Sequence, residues 1–236
     1  MSQPEPLASP FRSGVETARY SVKPRPTRSF HTATSESDLF RTEELATVTW
    51  KNDDATEVEL LMPVAGGRFE ERCSFSRAGS SLVPERFERT LHHADGRSLR
   101  EERVDFATGL PRMPEATYPE TLLPFLMRAQ PLDSARRSLY AWICDRFVAK
   151  VYYEVAKKNV TLRVPAGSFT TIETIMYPDL NDWVHLGSVL TRLSKPFLPK
   201  YHSWFEPGPN GMHRLIRFEG PYGPPGAPEI VLELSN

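Results

Sequence analysis

The chain has 236 residues, a formal net charge of −1 and two cysteines, Cys73 and Cys144. Near-neutral charge excludes any general attraction to nucleic acid or to an anionic membrane, and two cysteines make neither a metal-ligand spacing nor a disulfide framework. No run of ~18 apolar residues is present, so no transmembrane helix is expected, and 22 prolines mark the N-terminal tail, a 111–131 connector and the C-terminal region as irregular.

Residues 1–38 are rich in Ser, Thr, Pro and Arg with scattered apolar residues. Such a stretch buries too little surface to offset its ordering entropy, and it reads as a loosely attached tail ahead of one β domain over 39–236. The opening residues lack the ~7–15-residue apolar core of a secretory signal. The expectation is a cytoplasmic protein as written, or an exported one if this is a processed form.

From Leu39 onward short strands alternate with turn signals. Thr47–Trp50 leads to Lys51-Asn52-Asp53-Asp54, and Val58–Met62 returns. Phe69, Glu71, Cys73 and Phe75 share one face of the next strand. Phe87–Leu91 and Ser98–Phe106 flank Asp95-Gly96, a strong hairpin turn, and their dense charge reads as a solvated outer face. Leu122, Leu123, Phe125, Leu126 and Met127 form a short helix, apolar nearly all round, that is expected to plug an end of the sheet; Pro119 suits its start and Pro124 limits its regularity.

Leu139–Cys144, Phe147–Val155 and Val160–Tyr177 continue as a meander. Pro165-Ala166-Gly167-Ser168 turns the last of these, because proline sets φ and glycine tolerates positive φ. After Tyr177 the apolar period becomes helical at Trp183, Leu186, Leu190 and Leu193, and Pro196 ends it. Lys200–Glu206, Gly211–Gly220 and Glu229–Leu234 supply the final strands. The fold class is therefore all-β: a large curved antiparallel sheet, barrel or half-barrel, with one or two short helices as plug or lid.

Two segments carry a resemblance. Asp105-Phe106-Ala107-Thr108-Gly109, followed by the apolar helix and then Val164-Pro165-Ala166-Gly167-Ser168-Phe169, resembles a bacterial β-rich domain-of-unknown-function family with Asp-x-x-Thr-Gly and Pro-Ala-Gly-x-Phe patterns. The likeness covers Leu82 to Tyr177. It implies a strongly curved sheet around a helix, distantly similar to lipoprotein-carrier half-barrels, in proteins that are usually exported. It implies no catalytic residues. The chain departs from that family in lacking a signal sequence and in carrying both the Asn181–Lys195 segment and the tail.

Chemistry is sparse. There is no phosphate loop, nucleophile elbow or dinucleotide fingerprint, and no cofactor is expected. His92, His93 and Asp95 sit at a hairpin tip, where adjacent imidazoles point to opposite faces and do not share a metal. His202 with Glu219, or Arg217 with Glu206, would interact if their strands pair, giving a histidine–carboxylate pair for a hydrolase or isomerase. Arg163 and Glu173 read as polar residues facing water or pairing across the hairpin. The favoured expectation is binding of a lipid or other apolar small molecule by inward aromatics: Phe147, Tyr153, Phe169, Trp183, Trp204 and Phe218. The alternatives are an interaction module whose tail docks a partner, and the histidine–carboxylate enzyme.

Overall fold

The computed structural model describes residues 3–25, 40–108, 113–144, 147–179, 200–223 and 228–236. Its thirteen strands are β1 (Gly14–Pro24), β2 (Leu45–Asn52), β3 (Thr56–Val64), β4 (Gly67–Ala78), β5 (Ser81–His93), β6 (Ser98–Asp105), β7 (Thr117–Pro119), β8 (Arg137–Cys144), β9 (Phe147–Val164), β10 (Gly167–Pro178), β11 (Tyr201–Glu206), β12 (Arg214–Pro221) and β13 (Glu229–Ser235). They make one sheet in the order β6-β5-β4-β3-β2-β1-β13-β12-β11-β10-β9-β8-β7. Every pair is antiparallel except β7 with β8. A parallel pair needs a crossover connection, and here that crossover is the helical segment that fills the trough.

The sheet curls without closing. Its two ends approach closely enough for side chains to meet: the Phe87 ring of β5 lies edge-on to Trp142 of β8 with centroids 5.3 Å apart. The Tyr118 hydroxyl of β7 donates to the Leu82 carbonyl of β5 at 2.7 Å. The large curved sheet with a short helical plug is thus the architecture read from the strand pattern.

The N-terminal region corrects that reading. Residues 14–24, taken as part of a loose tail, form a central strand, with Tyr20 opposite Ala46 of β2 and Leu234 of β13. Ahead of it Leu7 and Phe11 are buried, and the Leu7 N–H donates to Tyr118 Oη at 2.8 Å. The alternation of β1 was masked because Glu16 and Ala18 occupy two of its inward positions while Val15 points out, 62% exposed. Part of the stretch expected as a tail, Gly14–Pro24, thus supplies a strand between β2 and β13. The helix expected over 181–195, with Trp183, lies outside the described residues.

The plug runs from Glu120 to Ala129 as a 3-10 turn, the α-helical turn α1 (Leu123–Leu126) and a second 3-10 turn. Pro124 sits in its first turn, where a missing N–H costs nothing. Leu122, Leu123, Phe125 and Leu126 are each 1% exposed or less. At about 1.5–3 kcal/mol per buried apolar side chain, the Leu122–Met127 run is held by the concave face without needing regular helix.

The β9–β10 hairpin is the other device that shapes the site. Asn159 adopts φ 58°, and the pairing shifts between Thr171 and Glu173 and again between Glu173 and Thr174. Such bulges bend and twist a ribbon. Beyond them the hairpin tip reaches three strands away, where the Ala166 N–H donates to the Leu234 carbonyl at 3.0 Å. Pro165 forbids the positive φ of a primed turn at that position, so positive φ falls on Gly167, at 135°.

Candidate functional site

The plug has two ends, and each meets a cavity. At its C-terminal end a cavity of about 690 Å³ is bounded by the start of β1, by Trp50, Phe125 and Arg128, by Leu215 and Leu234, and by Ala166 and Phe169 from the bent hairpin. Trp50 arrives on the inward parity of β2, with Ala46 and Val48. Tyr20 packs on Phe125 at 5.7 Å, and its hydroxyl donates to the Leu215 carbonyl at 3.2 Å. Burial raises the Tyr20 pKa, so the phenol stays neutral.

Arg128 is the buried cation of this cavity. It ends an otherwise apolar segment, is 4% exposed, and lies with its guanidinium carbon 4.5 Å from the Trp50 ring centroid. Its Nη2 donates to both carboxylate oxygens of Glu16, at 2.8 and 2.9 Å. Arg214 stands at the rim, its guanidinium carbon 4.9 Å from the Phe169 ring and its Nη2 donating to Glu206 at 2.7 Å.

At the other end of the plug a cavity of about 400 Å³ is lined by Phe40, Phe69, Leu91, Ile143, Cys144 and Tyr222, together with Arg89, Arg100 and Glu102. Beneath it lies a buried polar network. Glu71, 0% exposed, accepts from Arg89 Nε at 2.8 Å, from the Tyr222 hydroxyl at 2.8 Å and from the Thr121 hydroxyl at 2.5 Å. Arg89 Nη2 in turn donates to Thr121 at 3.0 Å. The charged β5–β6 hairpin is therefore not only a wet outer face: Arg89 turns inward to neutralise a carboxylate on the apolar face of β4. Glu120 is buried nearby and accepts from the Tyr201 hydroxyl and the Gly223 N–H; burial pushes its pKa up to about 8. This network joins the plug to β4, β5, β11 and the segment after β12, and every Glu71 and Thr121 contact it makes is internal.

The histidine–carboxylate pair exists with a different partner. His202 and Glu219 are opposite each other on β11 and β12, but His202 Nδ1 lies 2.8 Å from Glu173 Oε1. Glu219 is engaged by Arg217 and by Arg25, and Glu206 by Arg214 instead of Arg217. His202 stacks on Trp204 at 5.8 Å. Alternation with Ser203 and Phe205 places this group on the convex face, away from both cavities. His92 and His93 likewise separate, to Glu70 at 3.5 Å and Asp95 at 3.1 Å. Asp105 accepts the N–H groups of Ala107 and Thr108, both at 2.9 Å, as a turn-forming residue does.

The aromatic residues expected to line a site scatter. Phe169 lines the larger cavity. Tyr153 borders a void of only about 10 Å³ in packed core, and Phe218 is buried 6.4 Å from Tyr201. Phe147 packs against the core from a half-buried position at the start of β9. Trp204 is on the convex face, and Trp183 lies outside the described residues. The expectation missed Trp50, Phe125, Arg128 and Glu16. A lone arginine closing an apolar helical run is the signal that could have pointed to Arg128; Glu16 was hidden by the reading of its strand as tail.

No protein-family model and no curated protein matches the chain. Two solved structures resemble it. One is a protein with a YmcC-like fold, described as exported, from Bacteroides fragilis, at 13% identity and TM-score 0.31, covering 98% of this chain and 99% of that one. The other is described as a lipoprotein, from Parabacteroides distasonis, at 8% identity and TM-score 0.30, again covering 98% and 99%. No helix among the described residues is long and apolar enough to cross a membrane.

Proposed function

We propose that this protein binds an apolar small molecule in the cavity at the Arg128 end of the plug. The observation that carries the reading is a cavity of about 690 Å³ in which Trp50, Phe125, Phe169, Leu215 and Leu234 form an apolar wall opposite polar and charged side chains that include Glu16, Arg19, Arg128 and Arg214. Ligand sites typically have this size, ~300–1,000 Å³, and combine an apolar wall with polar groups that orient the ligand. Two features of the fold support it. The plug fills the middle of the trough but stops at Ala129, and the bent β9–β10 hairpin brings Ala166 and Phe169 over the remaining space.

Native mass spectrometry of the purified protein, with melting temperatures across a panel of lipids, tests the reading. A copurifying ligand, or a rise in melting temperature that grows with ligand concentration, is the expected result; a ligand at 100 times its Kd adds about 2.7 kcal/mol. Apo protein alone, with no shift for any lipid, overturns it.

A further inference from the structure

Two buried N–H donors share one wall of the larger cavity. Arg128 Nε and Trp50 Nε1 have no acceptor among the described residues, both side chains belong to residues that are 4% exposed, and both residues line the cavity. Both atoms are sealed within the wall where the Arg128 guanidinium lies over the Trp50 ring, so they gain an acceptor only when a side chain covering them moves aside, and an unpaired buried donor favours that exchange. Among the described residues the lining carries Arg19, Arg128 and Arg214 with one carboxylate side chain, Glu16, while Glu206 holds Arg214 from outside the cavity; the balance favours an acceptor that is negatively charged. The Glu16 side chain is 38% exposed where that of Arg128 is 5%. A partner that sits at the solvent edge can swing into water at small cost, whereas Arg128 stays in the wall.

We infer that the cavity selects a single-chain amphiphile with a carboxylate head, which takes the Arg128 guanidinium in place of Glu16 while its chain lies along Trp50, Phe125 and Leu215 beneath Phe169. Glu16 is then an internal competitor that occupies the headgroup position until a ligand carboxylate displaces it. Guanidinium–carboxylate pairing is strong and directional, and the apolar wall favours an alkyl chain in proportion to the area it removes from water. The inference rests on the reading of this cavity as a small-molecule site.

Isothermal titration of the full chain with decanoate and with 1-decanol, both below micelle or solubility limits, separates the two ideas. Decanoate is expected to bind about tenfold more tightly than decanol, a difference of ~1.4 kcal/mol. In Glu16→Gln, which keeps a neutral acceptor for Arg128, decanoate affinity rises severalfold more than decanol affinity does. Equal affinities for the two ligands overturn the carboxylate assignment but leave the cavity reading standing. Binding of neither ligand removes both. Weaker decanoate binding by a folded Glu16→Gln protein shows that Glu16 helps the ligand instead of competing with it, and overturns the displacement.

Discussion

Arg128 and Glu16 form an ion pair of unequal burial: 5% of the arginine side chain is exposed and 38% of the glutamate. The two removals therefore differ in cost. Glu16→Ala leaves a buried guanidinium without its carboxylate and is expected to destabilise by about 2–3 kcal/mol, because an uncompensated buried charge is costly. Arg128→Met frees a carboxylate that can hydrate, loses the contact with the Trp50 ring, and costs about 1 kcal/mol. Urea midpoints of the two variants check the order; a larger loss for Arg128→Met contradicts it.

Glu71 is the least replaceable charge in the fold. It accepts from Arg89, Tyr222 and Thr121, and it has 0% exposure. Glu71→Gln keeps the shape but removes the charge that Arg89 faces, and its amide must present N–H groups to donors. A loss of about 3 kcal/mol is expected, at the lower end for breaking a buried pair because Arg89 retains Glu102 and Thr121. Equilibrium unfolding reads it directly, and a change below about 1 kcal/mol would show that the network is solvated.

Glu120 gives stability a pH dependence of unusual sign. Its folded pKa, about 8, lies above the ordinary 4.5 because burial penalises the carboxylate. The folded state then holds a proton that the unfolded state releases. Its contribution is complete below pH 4.5 and is lost as pH rises towards about 8. At ~1.4 kcal/mol per pH unit, the loss between pH 4.5 and 7 is about 3 kcal/mol. Glu120→Gln should flatten that part of the melting curve against pH and raise the melting temperature at pH 7–8. An unchanged pH profile in the variant refutes the assignment.

The two cysteines are predicted to differ in reactivity. Cys73 is fully buried, and burial together with nearby carboxylates pushes its thiol pKa well up. Cys144 is half-buried and lines the smaller cavity. A maleimide probe should label one site per native chain, at Cys144, and the second only after unfolding, since reactivity follows thiolate access. Native labelling at Cys73 would contradict its placement.

Much of the sheet was legible because its strands obey a period of two and are separated by strong turns such as Asp95-Gly96. The plug was legible from Leu122 to Met127 because a run apolar on all sides has to be enclosed. What escaped has physical reasons. β1 puts Glu16 and Ala18 where apolar residues would have revealed its alternation, and its inward glutamate makes sense only beside Arg128, 112 residues away. Arg89 and Glu71 look like surface charge in sequence because each lies on a strand with charged neighbours; Glu71 is buried, with Arg89 half-buried over it, because strand register brings them opposite each other. Aromatic content predicted a ligand surface, but most of those rings are core or convex-face residues. Enclosure depends on the bend of the β9–β10 ribbon at Asn159, which local pattern does not encode.

The most direct measurement is a titration of decanoate followed at the Trp50 indole N–H by ¹H–¹⁵N NMR. The Trp50 Nε1–H resonance is expected to move as it gains an acceptor, while those of Trp142, in the core, and Trp204, on the convex face, stay in place. Saturable decanoate binding with an unmoved Trp50 resonance, or with the largest shifts at Trp204, would contradict a ligand site at the Arg128 end.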